Sequence, residues 1–152
     1  MEAVLSKEAP VSFAILTRRI CAAFGFSQCG PRMKKHLQDL YASMSMKSTG
    51  EGDSLFFWHA SQNPAEYNVF RPVSSRDSTD IAPEEIAVAV AMILEDQGSL
   101  PMDALTREIA GVFNFSRLGT RVLPSMQAGI AYALKSGKAV EVDGKISAGY
   151  FM

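Results

Sequence analysis

Apolar residues recur at helical spacing along much of the chain, and in two stretches the pattern is the same. In residues 16–32, LTRRICAAFGFSQCGPR, the positions Leu16, Ile20, Ala23 and Phe24 share one helix face. In residues 105–121, LTREIAGVFNFSRLGTR, Leu105, Ile109, Val112 and Phe113 do so at a constant offset of 89. Nine of the seventeen aligned pairs are identical: Leu16/Leu105, Thr17/Thr106, Arg18/Arg107, Ile20/Ile109, Phe24/Phe113, Phe26/Phe115, Ser27/Ser116, Gly30/Gly119 and Arg32/Arg121. An ungapped match of this density predicts two copies of one supersecondary unit. Each copy opens with an amphipathic helix. Gly25 and Asn114 follow at one aligned position, and both residue types readily take the left-handed conformation that closes a helix. Phe26 and Phe115 are placed to pack back on the helix just left, and Ser27 and Ser116 to cap a new one. Helix, three-residue turn, helix is the order of a helix-turn-helix.

Around this repeat the remaining pattern predicts the other elements. Residues 1–8 read as the end of a helix, because Val4 and Leu5 align with Ile93 and Leu94 of a longer helix before copy two. That longer helix starts at Pro83, with Glu84 and Glu85 favourable to its dipole, and ends before Gly98-Ser99. The first unit therefore reads as truncated, and Met1 is expected to begin a piece of a longer polypeptide, or something upstream to have completed the helix. Met33, Leu37, Leu40, Tyr41 and Met44 continue a helical stripe to about residue 46. LFFWH (55–59) has the aromatic density of a buried strand and follows the turn KSTGEGD (47–53). Residues 60–82 hold Asn63-Pro64, Arg71-Pro72 and SSRDST (74–79), which predicts an extended connection, with Tyr67, Val69 and Phe70 packing along one or both units. In copy two, helix 102–113, turn 114–116 and a third helix to about Gly137 precede KAVEVDGKIS (138–147), a hairpin turning at Asp143-Gly144. Pro124 inside the third helix predicts a kink or a restart near residue 124. The fold expected is mainly α with small β wings (α+β): two tandem winged-helix-like repeats, in a first unit 1–60, a linker 61–82 and a second unit 83–152.

Composition adds limits. With 152 residues, 47% of them hydrophobic, the chain has material for two small cores of about 60 to 75 residues each. No run approaches the roughly 20 apolar residues of a membrane span, and the N-terminus lacks a signal-peptide pattern, so no membrane partner and a cytoplasmic location are expected. Cys21 and Cys29 match no common zinc or redox spacing and read as a core residue and a turn residue. The formal net charge is −1, yet the charges segregate. Thr17 to Lys35 holds Arg18, Arg19, Arg32, Lys34 and Lys35 and no acid, whereas Asp77 to Asp103 holds seven acids and no base. Copy one thus carries the candidate anion-binding face.

The two repeats, the strand LFFWH, the connection YNVFRPVSSRD and the helix start APEEIAVAV together resemble the C-terminal domain of unknown function of bacterial superfamily I DNA helicase-like proteins. The resemblance spans about residues 9 to 146. It implies the last module of a large protein with ATPase domains and a restriction-endonuclease-like domain, and it implies no reaction for the module itself. Where that family has basic or polar positions in the third helix, this chain has RMKKHLQ in copy one but VLPSMQA in copy two.

No catalytic set emerges from the residues. Gly137-Lys138 and Gly144-Lys145 lack the spacing and the following helix of a phosphate loop. His36 and His59 have no acid or cysteine at ligand spacing, so neither metal nor cofactor is expected, and His59 reads as a strand-end residue beside Trp58. The acidic stretch reads as a dipole complement and a solvated face. Phe56, Phe57 and Trp58 form either a core strand or a stacking surface for unpaired bases. The sharpest candidates lie at the start of each third helix, where a helix-turn-helix meets DNA: Ser27, Gln28, Arg32, Lys34 and Lys35 in copy one, and Ser116, Arg117, Thr120 and Arg121 in copy two. The two serines serve as contacts or as caps, and Arg32 and Arg121 as contacts or as bridges to a neighbouring acid. The expected function is a non-catalytic nucleic-acid-binding accessory module of a helicase- or nuclease-like parent, engaging duplex or fork DNA. The alternative is a protein-interaction or intramolecular docking module that seats on the parent's ATPase or nuclease domains.

Overall fold

A computed structural model describes residues 1–72 and 75–149. They form a mixed α+β chain of two compact units, Met1–Pro64 and Ala65–Met152. Residues 73 and 74 of the expected linker, and 150–152 of the expected second unit, lie outside the described residues.

Unit 1 runs α1 (Glu2–Glu8), β1 (Val11–Ser12), α2 (Phe13–Ala23), α3 (Pro31–Ser43), β2 (Ser48–Thr49) and β3 (Phe56–Phe57). Ser12 starts α2 by accepting the Ile15 N–H at 3.1 Å. The helix ends as the repeat predicts. Gly25 is left-handed at φ 84°, its N–H donates to Ala22 O, and the Phe26 N–H reaches back to Cys21 O. α3 then begins at Pro31, not at Ser27, so the turn is longer than three residues and Ser27 caps nothing. Pro31 sets that start, because its ring fixes φ and the first helical N–H needs no partner. The apolar stripe of α3, with Leu37 and Tyr41 buried, packs on Leu16, Val11, Leu5 and Phe57. Tyr41 makes edge contacts with Phe13 and Phe57 at 5.7 and 5.1 Å between ring centres, and its hydroxyl lies 3.3 Å from Thr17 Oγ1.

Only two residues of LFFWH make a regular strand, but β3 is central, with β1 and β2 antiparallel on either side. Its pairing runs on irregularly: the Trp58 N–H donates to Lys47 O, and Leu55 O accepts the Phe13 N–H. Trp58 is buried, with its indole N–H on Thr49 Oγ1 at 2.8 Å, and Phe56 and Phe57 are buried beside it. The aromatic strand is core, and none of its rings is open to a base.

Unit 2 has the same order of elements: α4 (Pro83–Gln97), β4 (Leu100–Pro101), α5 (Met102–Val112), α6 (Val122–Ser136), β5 (Ala139–Val142) and β6 (Lys145–Ala148). Its sheet order, β4-β6-β5, repeats the β1-β3-β2 of unit 1. Asn114 closes α5 at φ 64°, with the Phe115 N–H on Ala110 O. Asp143 and Gly144 both take positive φ in the predicted two-residue hairpin turn. α6 starts at Val122, so Ser116 is no cap either, and Pro124 sits in the first turn, where its missing N–H costs nothing and no mid-helix kink arises. Ile86, Val90, Ile93 and Leu94 of α4 join Leu105, Ile109, Phe113, Met126, Ile130 and Ile146 in one buried core. Gly129 makes the closest approach possible, since a Cβ there would overlap Ile86 Cγ2. The short strands β1 and β4, unforeseen in the sequence, complete the two sheets.

Candidate nucleic-acid interface

The candidate residues of unit 1 gather at one end of α3. Ser27 and Gln28 lie exposed in the turn, Arg32 sits next to Pro31 in the first helical turn, and Lys34 and Lys35 follow. All five side chains are exposed. Among the described residues none of Arg32, Lys34 and Lys35 has an ion-pair partner. Arg19, also in the acid-free stretch, is the exception: it forms a two-point pair with Glu8 at 3.0 and 3.1 Å, which raises its pKa. Cations near a helix N-terminus oppose the helix dipole, so Arg32, Lys34 and Lys35 work slightly against α3. Helix stability does not account for them. On the outward side of α3, Asp39 follows Lys35 one turn on and ends the purely basic run.

The candidates of unit 2 are arranged differently. Arg117 and Thr120 lie in the loop between α5 and α6, and Arg121 precedes the first residue of α6, so none projects from a helical turn. Arg121 is engaged as the bridging alternative expected, although by an acid of the incoming segment and not of a neighbouring helix. Its guanidinium pairs with Asp77 at 3.1 Å, while Asp77 accepts the N–H and hydroxyl of Thr79. Burial pushes the Asp77 carboxyl up, but the Thr79 hydrogen bonds and Arg121 outweigh it and hold the pKa below the ordinary value.

Three features went unread in the sequence. Cys21 and Cys29 are joined by a disulfide that ties the turn to α2. Glu84 and Glu85, expected on a solvated face, are both buried. Glu85 is wholly enclosed and accepts from both Arg71 and Arg76, at 2.6 and 2.7 Å at the closest, which fastens the segment before α4 onto that helix. Burial raises its pKa and the two guanidiniums lower it, with a net shift downwards. Finally, an open apolar groove of about 300 Å³ lies between α2 and α3, lined by Ile20, Phe24, Phe26, Met33, Leu37 and Leu40. Phe24 is 76% exposed and Phe26 52%, so Phe26 does not pack back as its place in the repeat predicts, whereas Phe115 is partly buried. Arg32 and His36 line the continuation of the groove.

His59 bridges Glu2 and Ser61 at 2.6 and 2.7 Å at the surface of unit 1. Among the described residues no group of His, Cys, Asp and Glu is placed to hold a metal, and no helix is long and apolar enough to cross a membrane.

A family model described as a protein of unknown function (DUF3320) matches residues 1–35. The matched segment covers α1, β1, α2, the turn and the opening of α3, and so includes Ser27, Gln28, Arg32, Lys34 and Lys35. No curated protein and no solved structure matches the chain.

Proposed function

We propose that this chain is a non-catalytic accessory module of two winged-helix-like units, of which the first engages duplex or fork DNA for a helicase- or nuclease-like parent. The observation that carries this reading is the state of the repeated arginine. Arg121 is tied to Asp77, while its counterpart Arg32, with Lys34 and Lys35 beside it, has no acid partner among the described residues. The first turn of α3 would meet the phosphate backbone, and Gln28 in the turn would reach towards base edges. The shared helix-strand-helix-helix-strand-strand order supports the winged-helix reading.

Three neutralised phosphates give a salt slope of about −2.7, which is about a 40-fold loss of affinity between 50 and 200 mM salt. A titration of labelled duplex, fork and single-stranded DNA at those two salt concentrations tests it. Lys34→Glu with Lys35→Glu should weaken binding to all sequences alike. Tight binding that ignores both salt and these substitutions would sink the reading.

A second reading, docking onto a protein, is favoured by one specific observation: the exposed aromatic pair Phe24 and Phe26 beside an open apolar groove.

A further inference from the structure

The two turns of the repeat are held to their units by different chemistry. Among the described residues no backbone hydrogen bond fixes Ser27, Gln28 or Cys29: the Phe26 N–H closes α2 on Cys21 O, and the next bond runs from the Lys34 N–H to Gly30 O in α3. The turn needs another anchor. At the matching positions of unit 2 stand Ala110, which is buried, and Leu118, which packs partly buried against that unit's core, so an apolar side chain does the anchoring. Unit 1 has Cys21 and Cys29 there instead, bonded across a Cα separation of 6.1 Å. A covalent bond stands in for an apolar contact. It also sits inside the candidate interface, because Gln28 immediately precedes Cys29 and Arg32 follows in the first turn of α3.

We propose that Cys29 is a redox-modification site, where exchange with a low-molecular-weight thiol or dithiol frees the turn and weakens DNA binding by unit 1. This inference rests on the DNA reading and adds a control to it. A thiolate attacks Sγ of Cys29, which is half-buried, in preference to Sγ of Cys21, which is 3% exposed. The attacking sulfur bonds to Cys29, and the electron pair of the broken S–S bond leaves on Cys21, which takes a proton. A second thiolate then attacks the external sulfur and displaces Cys29, which is protonated in turn, so two electrons pass to the protein and the reductant ends as a disulfide. Reverse exchange with a low-molecular-weight disulfide re-forms the bond. Leu118 keeps partial exposure even with Phe70 on Phe113 and Asp77 on Arg121, so a segment seated the same way on unit 1 would still leave Cys29 open to a thiol. In the cytoplasmic location expected of the chain, the thiol pool makes such a bond reversible. Reduction leaves Cys29 with a side chain smaller than that of Leu118, and the turn loses its anchor. Ordering even one backbone residue again on binding costs about fivefold in affinity.

The test uses the full chain, air-oxidised or treated with dithiothreitol, titrated with labelled duplex DNA at low salt. Reduction should weaken binding at least about fivefold. It should also lower the backbone NMR order parameters of Ser27, Gln28 and Cys29 and leave those of Ser116 to Leu118 unchanged. Brief exposure of the oxidised chain to glutathione, followed by peptide mass mapping, should place the mixed disulfide on Cys29. Cys29→Ser should behave as the reduced chain with or without dithiothreitol. Cys21→Ala with Cys29→Leu, which copies Ala110 and Leu118, should bind as the oxidised chain does and ignore the reductant. A mixed disulfide on Cys21 overturns the proposal, and so does a response to dithiothreitol that persists in the double variant. If the oxidised and reduced chains bind DNA equally well, the DNA reading survives and this control fails; if neither binds, both fail.

Discussion

Phe24 and Phe113 hold the same place in the repeat, close the same kind of helix and each precede a left-handed residue, Gly25 or Asn114, yet one is 76% exposed and the other 2%. The cause lies outside the repeat. Phe113 is covered by Phe70 from the segment leading into α4, a segment locked down by Glu85, Arg71 and Arg76 and by the Asp77–Arg121 pair. The identical residues therefore specify a shared framework, and the contacts made around them decide which of its surfaces are covered. Among the described residues unit 1 has an apolar groove and cations without ion pairs where unit 2 buries Phe113 and pairs Arg121 with Asp77.

Single substitutions should act on the two units unequally. The lone tryptophan, Trp58, lies in the core of unit 1, so its fluorescence follows that unit, while circular dichroism follows both. Phe113→Ala should cost unit 2 about 3 to 5 kcal/mol, seen as an early transition in urea-monitored circular dichroism. Phe24→Ala should move the fluorescence transition by less than about 0.5 kcal/mol. Glu85→Gln comes next, at about 3 kcal/mol, because it strands two guanidiniums around a buried site. The wild-type carboxylate carries a pH dependence of definite sign. Its folded pKa is lowered, so its stabilisation is complete above the unfolded value of about 4.3 and is lost as pH falls through the folded one. Acid unfolding of unit 2 should be less steep in Glu85→Gln.

Gly129→Ala should destabilise unit 2 by about 1 to 3 kcal/mol, because the added methyl meets Ile86. The matching Leu40→Ala in unit 1 should cost less than about 1 kcal/mol, since much of that side chain is already in water. The smallest effect belongs to Asp77→Asn. Arg121 is 67% exposed in that pair, so screening holds the loss below about 1 kcal/mol. The substitution would, however, release Arg121 and make unit 2 resemble unit 1 electrostatically. A gain in DNA affinity would then sharpen the claim that a free arginine at this position is what binds.

Local chemistry was legible and long-range chemistry was not. Gly25, Asn114, Pro83 and the Asp143-Gly144 turn announced their conformations because each acts through its own backbone. Ser27 and Ser116 are good caps that the chain does not use: α3 opens at Pro31, and α6 opens at Val122 with Pro124 in its first turn. Strands β1 and β4 are two residues each and exist through partners more than forty residues away, so no periodicity betrays them. The segregation of charge identified the basic turn of α3. Nothing in the sequence distinguishes Arg121, paired with Asp77, from Arg32, which has no ion pair among the described residues, because that difference rests on where Asp77 lies in space. The clamp on Glu85 was hidden likewise, since Arg71 and Arg76 look like ordinary linker cations until the fold encloses the carboxylate.

We propose that unit 1 carries the DNA-contacting surface and unit 2 supports it. The most direct measurement is an amide-resolved NMR titration of the whole chain with a short DNA duplex at low salt. Shifts should saturate at Gln28 to Lys35 and stay small at Arg117 to Arg121. Equal shifts at both turns, or shifts at Arg117 to Arg121 alone, would contradict it.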